Sequence, residues 1–219
     1  LSLAACGSPA QSGGSASGGS GAASAAEPIG KYTAVIDIRD YGTVTLELDG
    51  DSAPITVANF VKLAKDGFYD GLTFHRIMDG FMMQGGDPKG NGTGGSEENI
   101  TGEFAGNGIE NPISHSRGTI SMARAQDPNS ASSQFFICQA DCSFLDGEYA
   151  AFGHVTEGLD VVDAVCAAAR PTDDNGTIPA EEQPVITAER LDADGNAHHG
   201  TYDGYVLNED GAADEAKAE

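Results

Sequence analysis

Tryptophan is absent from this chain, cysteine occurs only four times, and 11 basic residues stand against 34 acidic ones in a length of 219. The shortage of basic charge leaves a formal net charge of −23. Such a surface repels nucleic-acid phosphates and anionic lipid head groups alike, which excludes nucleic acid as a partner. Nowhere does the sequence run apolar for the roughly 18 residues of a membrane-spanning helix, so membrane association would require an anchor. There is no GxSxG elbow, and His75, His115 and His154 sit in unlike contexts, which argues against hydrolysis by a nucleophile–histidine–acid triad. Cysteines and histidines are not paired at zinc spacing. The glycine-rich "GNGTGG" from Gly90 to Gly95 lacks the Lys-Ser/Thr ending and following helix of a phosphate loop. "DADGNAHHGTYD" spaces Asp192, Asp194, Asn196 and Asp203 somewhat like a calcium loop. Its sixth position is Ala197 rather than glycine, however, and its last is Asp rather than Glu. No cofactor and no metal is expected.

What is present divides into three zones. Residues 1–28 open with "LSLAAC" and continue as Gly, Ser and Ala, a flexible tether that cannot bury enough apolar surface to fold. Leu3-Ala4-Ala5-Cys6 resembles a bacterial lipobox, in which the cysteine is acylated; an apolar leader with an incidental cysteine is the weaker reading. With no starting Met and no charged segment ahead of it, the stretch is read as an export signal cut within its length. Residues 29–191 carry the patterned domain, and residues 192–219 form an acidic tail expected to be disordered. Lipidation of Cys6 would leave Cys138, Cys142 and Cys166, enough for one disulfide within the chain. The spacing does not choose a pair, and small buried hydrophobes are the better reading of all three.

Within the middle zone, Val44, Leu46 and Leu48 alternate with polar residues, the period of a half-buried strand. With the preceding "YTAVIDI" they predict a hairpin turning at Arg39–Gly42. In "APITVANFVKLAKDG" the period changes: Val57, Phe60, Val61 and Ala64 fall on one helical face, Pro54 suits the first turn, Lys62 and Lys65 the last, and Gly67 the cap. A second helix is predicted over Leu159–Ala169, stopped by Pro171. Short apolar runs, "TISMA", "QFFIC", "AAFGHV" and "PVITAERL", lie between turn residues. The expected fold is mainly β, a closed antiparallel β-barrel with two capping α-helices.

"FHRIMDGFMMQGGD" sets Arg76 among large apolar side chains. On spacing alone Arg76 would be a surface ion-pair partner, and Phe81, Met82 and Phe136 ordinary core. That stretch is followed in order by "NGTGG", "GTISMAR", "SQFFIC" and "FLDGEYAAFGHV". Together the five motifs resemble the cyclophilin family of peptidyl-prolyl cis-trans isomerases, and the match runs from about Tyr32 to Leu191.

The resemblance implies rotation about Xaa-Pro bonds, a reaction without bond cleavage and hence without a nucleophile or cofactor. By position it makes Arg76 the catalytic donor. Phe81, Met82, Phe136 and Leu145 would form a slot for the proline ring, and Gln84 would position Arg76 and the substrate backbone. Ala123 and Ala125 would lie along the peptide groove, with Gln134 at its wall. Phe144 stands where the best-known members carry tryptophan, so the indole N–H is missing there. Tyr149 replaces a histidine and Arg124 an asparagine, which puts the preference for residues flanking proline in doubt. No site residue is carried across "SEENITGEFAGNGIENPISHS" or "RPTDDNGTIPAEEQ". The expected partners are proline-containing unfolded or exported polypeptides. The protein is expected as a monomer, extracytoplasmic and lipid-anchored through Cys6 to the outer face of a bacterial cell membrane. A non-catalytic proline-binding chaperone or scaffold is the alternative.

Overall fold

The period-two segments become strands as their pattern dictates. β1 (Lys31–Ile38) pairs antiparallel with β2 (Gly42–Asp49), from Lys31 opposite Asp49 to Ile38 opposite Gly42. Val44, Leu46 and Leu48 are fully buried while Glu47 and Asp49 reach solvent. The turn between them places Asp40 at φ 68°, the left-handed region that aspartate tolerates better than most residues. These features belong to a computed structural model that describes residues 29–191. Cys6 with its tether and the acidic tail lie outside the described residues.

Helix α1 (Pro54–Lys65) follows, with Pro54 in its first turn and Lys62 and Lys65 in its last. It ends as a Schellman motif: Gly67, at φ 69°, donates to the Ala64 carbonyl at 3.0 Å, and Phe68 donates to Leu63 at 2.9 Å. The remaining elements are β3 (Phe74–Met78), β4 (Met82–Gly85), β5 (Thr119–Met122), β6 (Phe135–Cys138), β7 (Ala151–Glu157), α2 (Leu159–Ala168) and β8 (Ile186–Leu191). The eight strands form one antiparallel sheet in the order β3-β4-β6-β5-β7-β2-β1-β8. Its two ends meet through a short bridge rather than a full ladder. Thr73 lies opposite Val185, Phe74 donates to Pro184 at 2.9 Å, and Ile186 donates to Leu72 at 2.8 Å. The result is a nearly closed eight-stranded barrel with two helices.

Inside the barrel, Phe60 of α1 takes the central place that a chain without tryptophan must fill with smaller rings. Its ring centroid lies 5.1 Å from Tyr69, 5.6 Å from Phe135 and 5.1 Å from Phe152, in tilted or edge-on arrangements that such rings prefer. Strands β4, β5 and β6 are buried at every position. One of their faces packs on this core and the other on a second, smaller apolar cluster, which explains why "FFIC" runs apolar instead of alternating.

One buried charge holds the core helix in place. The residue before α1, Ala53, has no side chain to cap it, and Glu103 from a distant loop does so instead. Its carboxylate accepts from the backbone N–H groups of Ile55 at 3.0 Å and Thr56 at 2.8 Å, and from the Thr56 hydroxyl at 2.7 Å. Removing that acceptor leaves buried helix-end donors unmatched, at about 2 kcal/mol. Glu103→Ala is therefore expected to lower the thermal midpoint by roughly 4–8 °C in a melt followed by circular dichroism; an unchanged midpoint would show that water caps the helix equally well.

Candidate active site

The site is laid out by strand register. Arg76 on β3 lies opposite Gln84 on β4, Gln84 opposite Phe136 on β6, and Phe136 opposite Ser121 on β5. The next row is Met78, Met82 and Cys138. Both rows point away from the barrel core. Residues two apart in a strand share a face, so regular pairing would have placed Phe74 and Arg76 on the same side. A β-bulge prevents this: two steps along β3, from Phe74 to Arg76, match one step along β4, from Gly85 to Gln84. His75 is the extra residue. Phe74 and Ile77 enter the core, fully buried, and Arg76 turns to the opposite face, a re-aiming typical of bulges beside functional sites.

Arg76 is only 7% exposed, yet no carboxylate forms an ion pair with it among the described residues. It is held by neutral groups. Nε donates to the Asn175 carbonyl at 2.7 Å, Nη1 to Gln84 Oε1 at 3.2 Å, and Nη2 contacts Met78 Sδ at 3.4 Å. Gln84 is oriented in turn, since its Nε2 donates to Gln134 Oε1 at 2.9 Å and Gln134 Nε2 donates to the Gly94 carbonyl at 2.7 Å. Burial pulls the Arg76 guanidinium below its ordinary value, and Tyr149 and Asp173 pull it back up; a guanidinium starts so far above neutrality that it stays charged. Of its five N–H donors, three are matched, which leaves two for a ligand.

The Asn175 carbonyl was not foreseen, because it comes from the segment across which no site residue was carried. Asp173 shapes that loop by accepting from the backbone of Asn175 and Thr177, each at 3.0 Å, and from the Thr177 hydroxyl at 2.8 Å. Gly176 has φ 87°, and a Cβ there would sit 2.6 Å from Met78 Cγ. Only glycine lets the loop approach β3 closely enough to reach Arg76. The Asn175-Gly176 pair is a turn signal visible in the sequence, but nothing in it says that the turn caps an arginine.

Arg76, Gln84, Gln134, Ala123 and Ala125 line a cavity of about 500 Å³, completed by the loop from Asn91 to Ser96. The Gly-Gly-Asp turn builds that loop. Gly86 has φ 79°, and a Cβ on it would meet the Ser133 carbonyl at 2.5 Å. Asp87, 1% exposed, accepts from the backbone N–H groups of Lys89 at 2.8 Å, Asn91 at 3.1 Å and Gly92 at 2.6 Å. Burial works to raise its carboxyl, but the N–H donors of Lys89, Asn91, Gly94 and Gly92 outweigh it and hold the group below the usual range.

Beside the cavity lies the second apolar cluster, formed by Met82, Ala123, Phe136, Cys138, Cys142 and Leu145, with Met78, Phe81 and Tyr149 partly buried against it. Ala123 belongs to both. Phe136 is fixed from two directions: His115 stacks on it at 6.0 Å, and Tyr149 meets it edge-on at 6.0 Å. His115 is itself pinned, Nδ1 to Asp146 Oδ1 at 2.8 Å and Nε2 to Ser121 Oγ at 2.9 Å. Phe144 is 68% exposed and stacks on Phe81 with centroids 5.7 Å apart, an open lip at the edge of the cluster. All three described cysteines are free and buried, and burial pushes the Cys166 thiol up to about 12.

The structure thus gathers every site residue expected in the domain onto one face. Five line the cavity, and Phe81, Met82, Phe136, Phe144, Leu145 and Tyr149 build the apolar part adjoining it. The chain is similar to known proteins in both sequence and fold. The family model described as cyclophilin type peptidyl-prolyl cis-trans isomerase/CLD matches residues 33–189. The peptidyl-prolyl cis-trans isomerase of Helicobacter pylori strain J99 is 51% identical over 126 residues, covering 57% of this chain and 75% of the relative. The probable peptidyl-prolyl cis-trans isomerase of Brucella suis is 44% identical over 155 residues, covering 65% and 74%. Among solved structures, the cyclophilin type isomerase of Cryptosporidium parvum superposes with a TM-score of 0.64 at 28% identity, over 74% of this chain and 99% of that one. The chain belongs to the cyclophilin-type peptidyl-prolyl cis-trans isomerase family, and its activity is Xaa-Pro isomerisation.

The bulge residue leaves a mark on stability. His75 is 4% exposed, and neither ring nitrogen has a hydrogen-bond partner among the described residues. Burial lowers its pKa, with Asp87 opposing and Arg76 reinforcing the shift. The folded state therefore binds fewer protons than the unfolded chain, so stability rises with pH below the ordinary histidine value of about 6.5 and is lost as pH falls beneath it. The thermal midpoint is expected to drop between pH 7 and 5, and to drop less steeply in His75→Gln by up to about one proton of linkage. Equal slopes in the two proteins would refute this account of His75.

Proposed function

We propose that the Xaa-Pro bond turns in the cavity that Arg76 lines, beside the apolar cluster of Phe136, and that the clients are unfolded polypeptides met outside the cytoplasm. The amide bond before proline resists rotation by about 18–20 kcal/mol because of its partial double-bond character. Twisting it removes the resonance and returns a lone pair to the prolyl nitrogen. A donor fixed beside that nitrogen, or beside the neighbouring carbonyl oxygen, gains strength as the bond twists, and so lowers the barrier rather than merely tightening binding. The observation that carries this reading is the state of Arg76: buried, charged, unpaired with any described carboxylate, and left with two N–H donors at the cavity. A paired guanidinium would have nothing to offer.

The apolar cluster supplies the other half. A proline ring seated against Met82, Phe136 and Leu145 would be held while the preceding residue rotates, and the water it displaces would no longer screen the arginine's field. Gln84 keeps the guanidinium plane in register, and Ala123 and Ala125 leave room for a peptide backbone. The Cryptosporidium relative was crystallised in the presence of the dipeptide Ala-Pro, a ligand of the size this cavity would take. In a protease-coupled assay on an Xaa-Pro peptide, Arg76→Ala is expected to lose about 10²–10³-fold in kcat/KM, the scale of a lost transition-state donor. Full activity in that variant would remove Arg76 from the mechanism.

Leu3-Ala4-Ala5-Cys6 followed by a Gly/Ser/Ala tether supports the extracytoplasmic, lipid-anchored setting. A tether of this composition lets the domain sample the space above a membrane without docking on it, which suits a monomeric enzyme meeting emerging chains. When the full precursor is expressed in a bacterial host, the wild type is expected in the membrane fraction and Cys6→Ala in the soluble one. Identical partition of the two would count against the anchor.

A further inference from the structure

We propose that Arg124 is a positioning residue for the prolyl slot, acting through Tyr149; the inference rests on reading the cavity as the isomerase site. Although it borders the cavity, Arg124 is not free to receive a ligand. Its side chain is 13% exposed. Nε donates to the Glu148 carbonyl at 2.9 Å, Nη1 to the carbonyls of Ala125 at 2.9 Å and Gln126 at 3.3 Å, and Nη2 reaches Glu148 Oε2 at 3.4 Å. Four of five donors are spent within the protein, three of them on backbone carbonyls. The Glu148 carboxylate is 64% exposed, and a long ion pair to so open a partner contributes little.

The guanidinium also lies over two aromatic rings. Its central carbon lies 4.8 Å from the Tyr149 ring centroid and 5.1 Å from that of Phe104, well inside the range of cation–π attraction. Neither ring belongs to a regular element: Phe104 precedes a short 3-10 turn and Tyr149 precedes β7. Phe104 is buried in the barrel core and Tyr149 packs against the smaller cluster, and the guanidinium lies against both. It ties the groove wall at Ala125–Gln126, the Glu148–Tyr149 loop and Phe104 into one block.

Tyr149 passes that order on to the site. Its ring meets Phe136 edge-on at 6.0 Å, and its phenol is near enough to Arg76 to act on the guanidinium electrostatically. It stands where the apolar slot meets the donor. Loss of the Arg124 side chain would remove one of the contacts that hold Tyr149 and loosen the wall for ground state and transition state alike. Such uniform loss raises KM and leaves kcat nearly unchanged.

The test is steady-state isomerisation of an Xaa-Pro peptide by five variants. Arg124→Ala is expected to raise KM by roughly five- to tenfold with kcat within about twofold of wild type. Arg124→Lys keeps the charge but neither the planar stack nor the carbonyl fork, and is expected to behave like Arg124→Ala. In a Tyr149→Ala background, Arg124→Ala is expected to change KM no further, because the route of its influence is already gone. A wild-type KM in Arg124→Ala or Arg124→Lys, or equal fold-losses in the two backgrounds, would overturn the inference. If Arg124→Ala fails to fold in a thermal melt, the Lys variant decides alone. Arg76→Ala separates the two levels: an active Arg76 variant sinks the reading of the site, and with it this inference. An inactive Arg76 variant beside unaltered Arg124 variants sinks this inference only.

Discussion

A guanidinium buried with no carboxylate paired to it among the described residues is the constraint around which this domain is arranged. Burying an unpaired charge is expensive unless polar groups replace the lost water, and here the replacements are neutral: the Asn175 carbonyl, the Gln84 amide oxygen and the Met78 sulfur. Each has needed its own support. Gln84 is held through Gln134 to the Gly94 carbonyl, which draws the 91–96 loop into place. Asn175 is presented by a turn that Asp173 ties and Gly176 makes possible. Two loops far apart in sequence are thereby shaped by the needs of one side chain.

The barrel makes room for this by burying β4, β5 and β6 on both faces. The inner face meets the aromatic core around Phe60; the outer face meets Phe136, Met82 and the rest of the smaller cluster. A rigid sheet between two packed layers is a good mount for a donor whose direction matters, since rotamers on it are locked from both sides. The bulge at His75 is what assigns Arg76 to the outer layer. Regular pairing with His75 included would have put Phe74 and Arg76 on one face.

How much of this the sequence foretells depends on whether the signal is carried by side chains. Helix α1 and the β1–β2 hairpin were legible because their periods are local and their ends carry Pro54, Lys62, Lys65 and Gly67. The gathering of Arg76, Gln84, Phe136, Ala123 and Gln134 was legible only through resemblance to a family; their spacing alone would have sent Arg76 to the surface and Phe136 to the core. The bulge was not legible, because "FHRIM" reads as an ordinary strand. Nor was the Asn175 contact, since a backbone carbonyl accepts whatever side chain sits beside it. The near-closure of the barrel at Phe74 and Pro184 is hidden for the same reason.

The distribution of acid completes the argument. The chain carries 34 aspartates and glutamates, yet among the described residues none lines the cavity. A carboxylate there would pair with Arg76 and occupy the two donors that a twisting amide needs. Asp87 is the instructive case, because it is buried close enough to influence His75 but turns its oxygens onto the backbone N–H groups of its own loop. Glu148 spends one oxygen on Arg124 at the rim and keeps the rest in solvent. Among the described residues, carboxylate charge is thus kept off the cavity lining and reaches Arg76 only at a distance, from Asp173, and that spacing is as much a part of the site as the residues that line it.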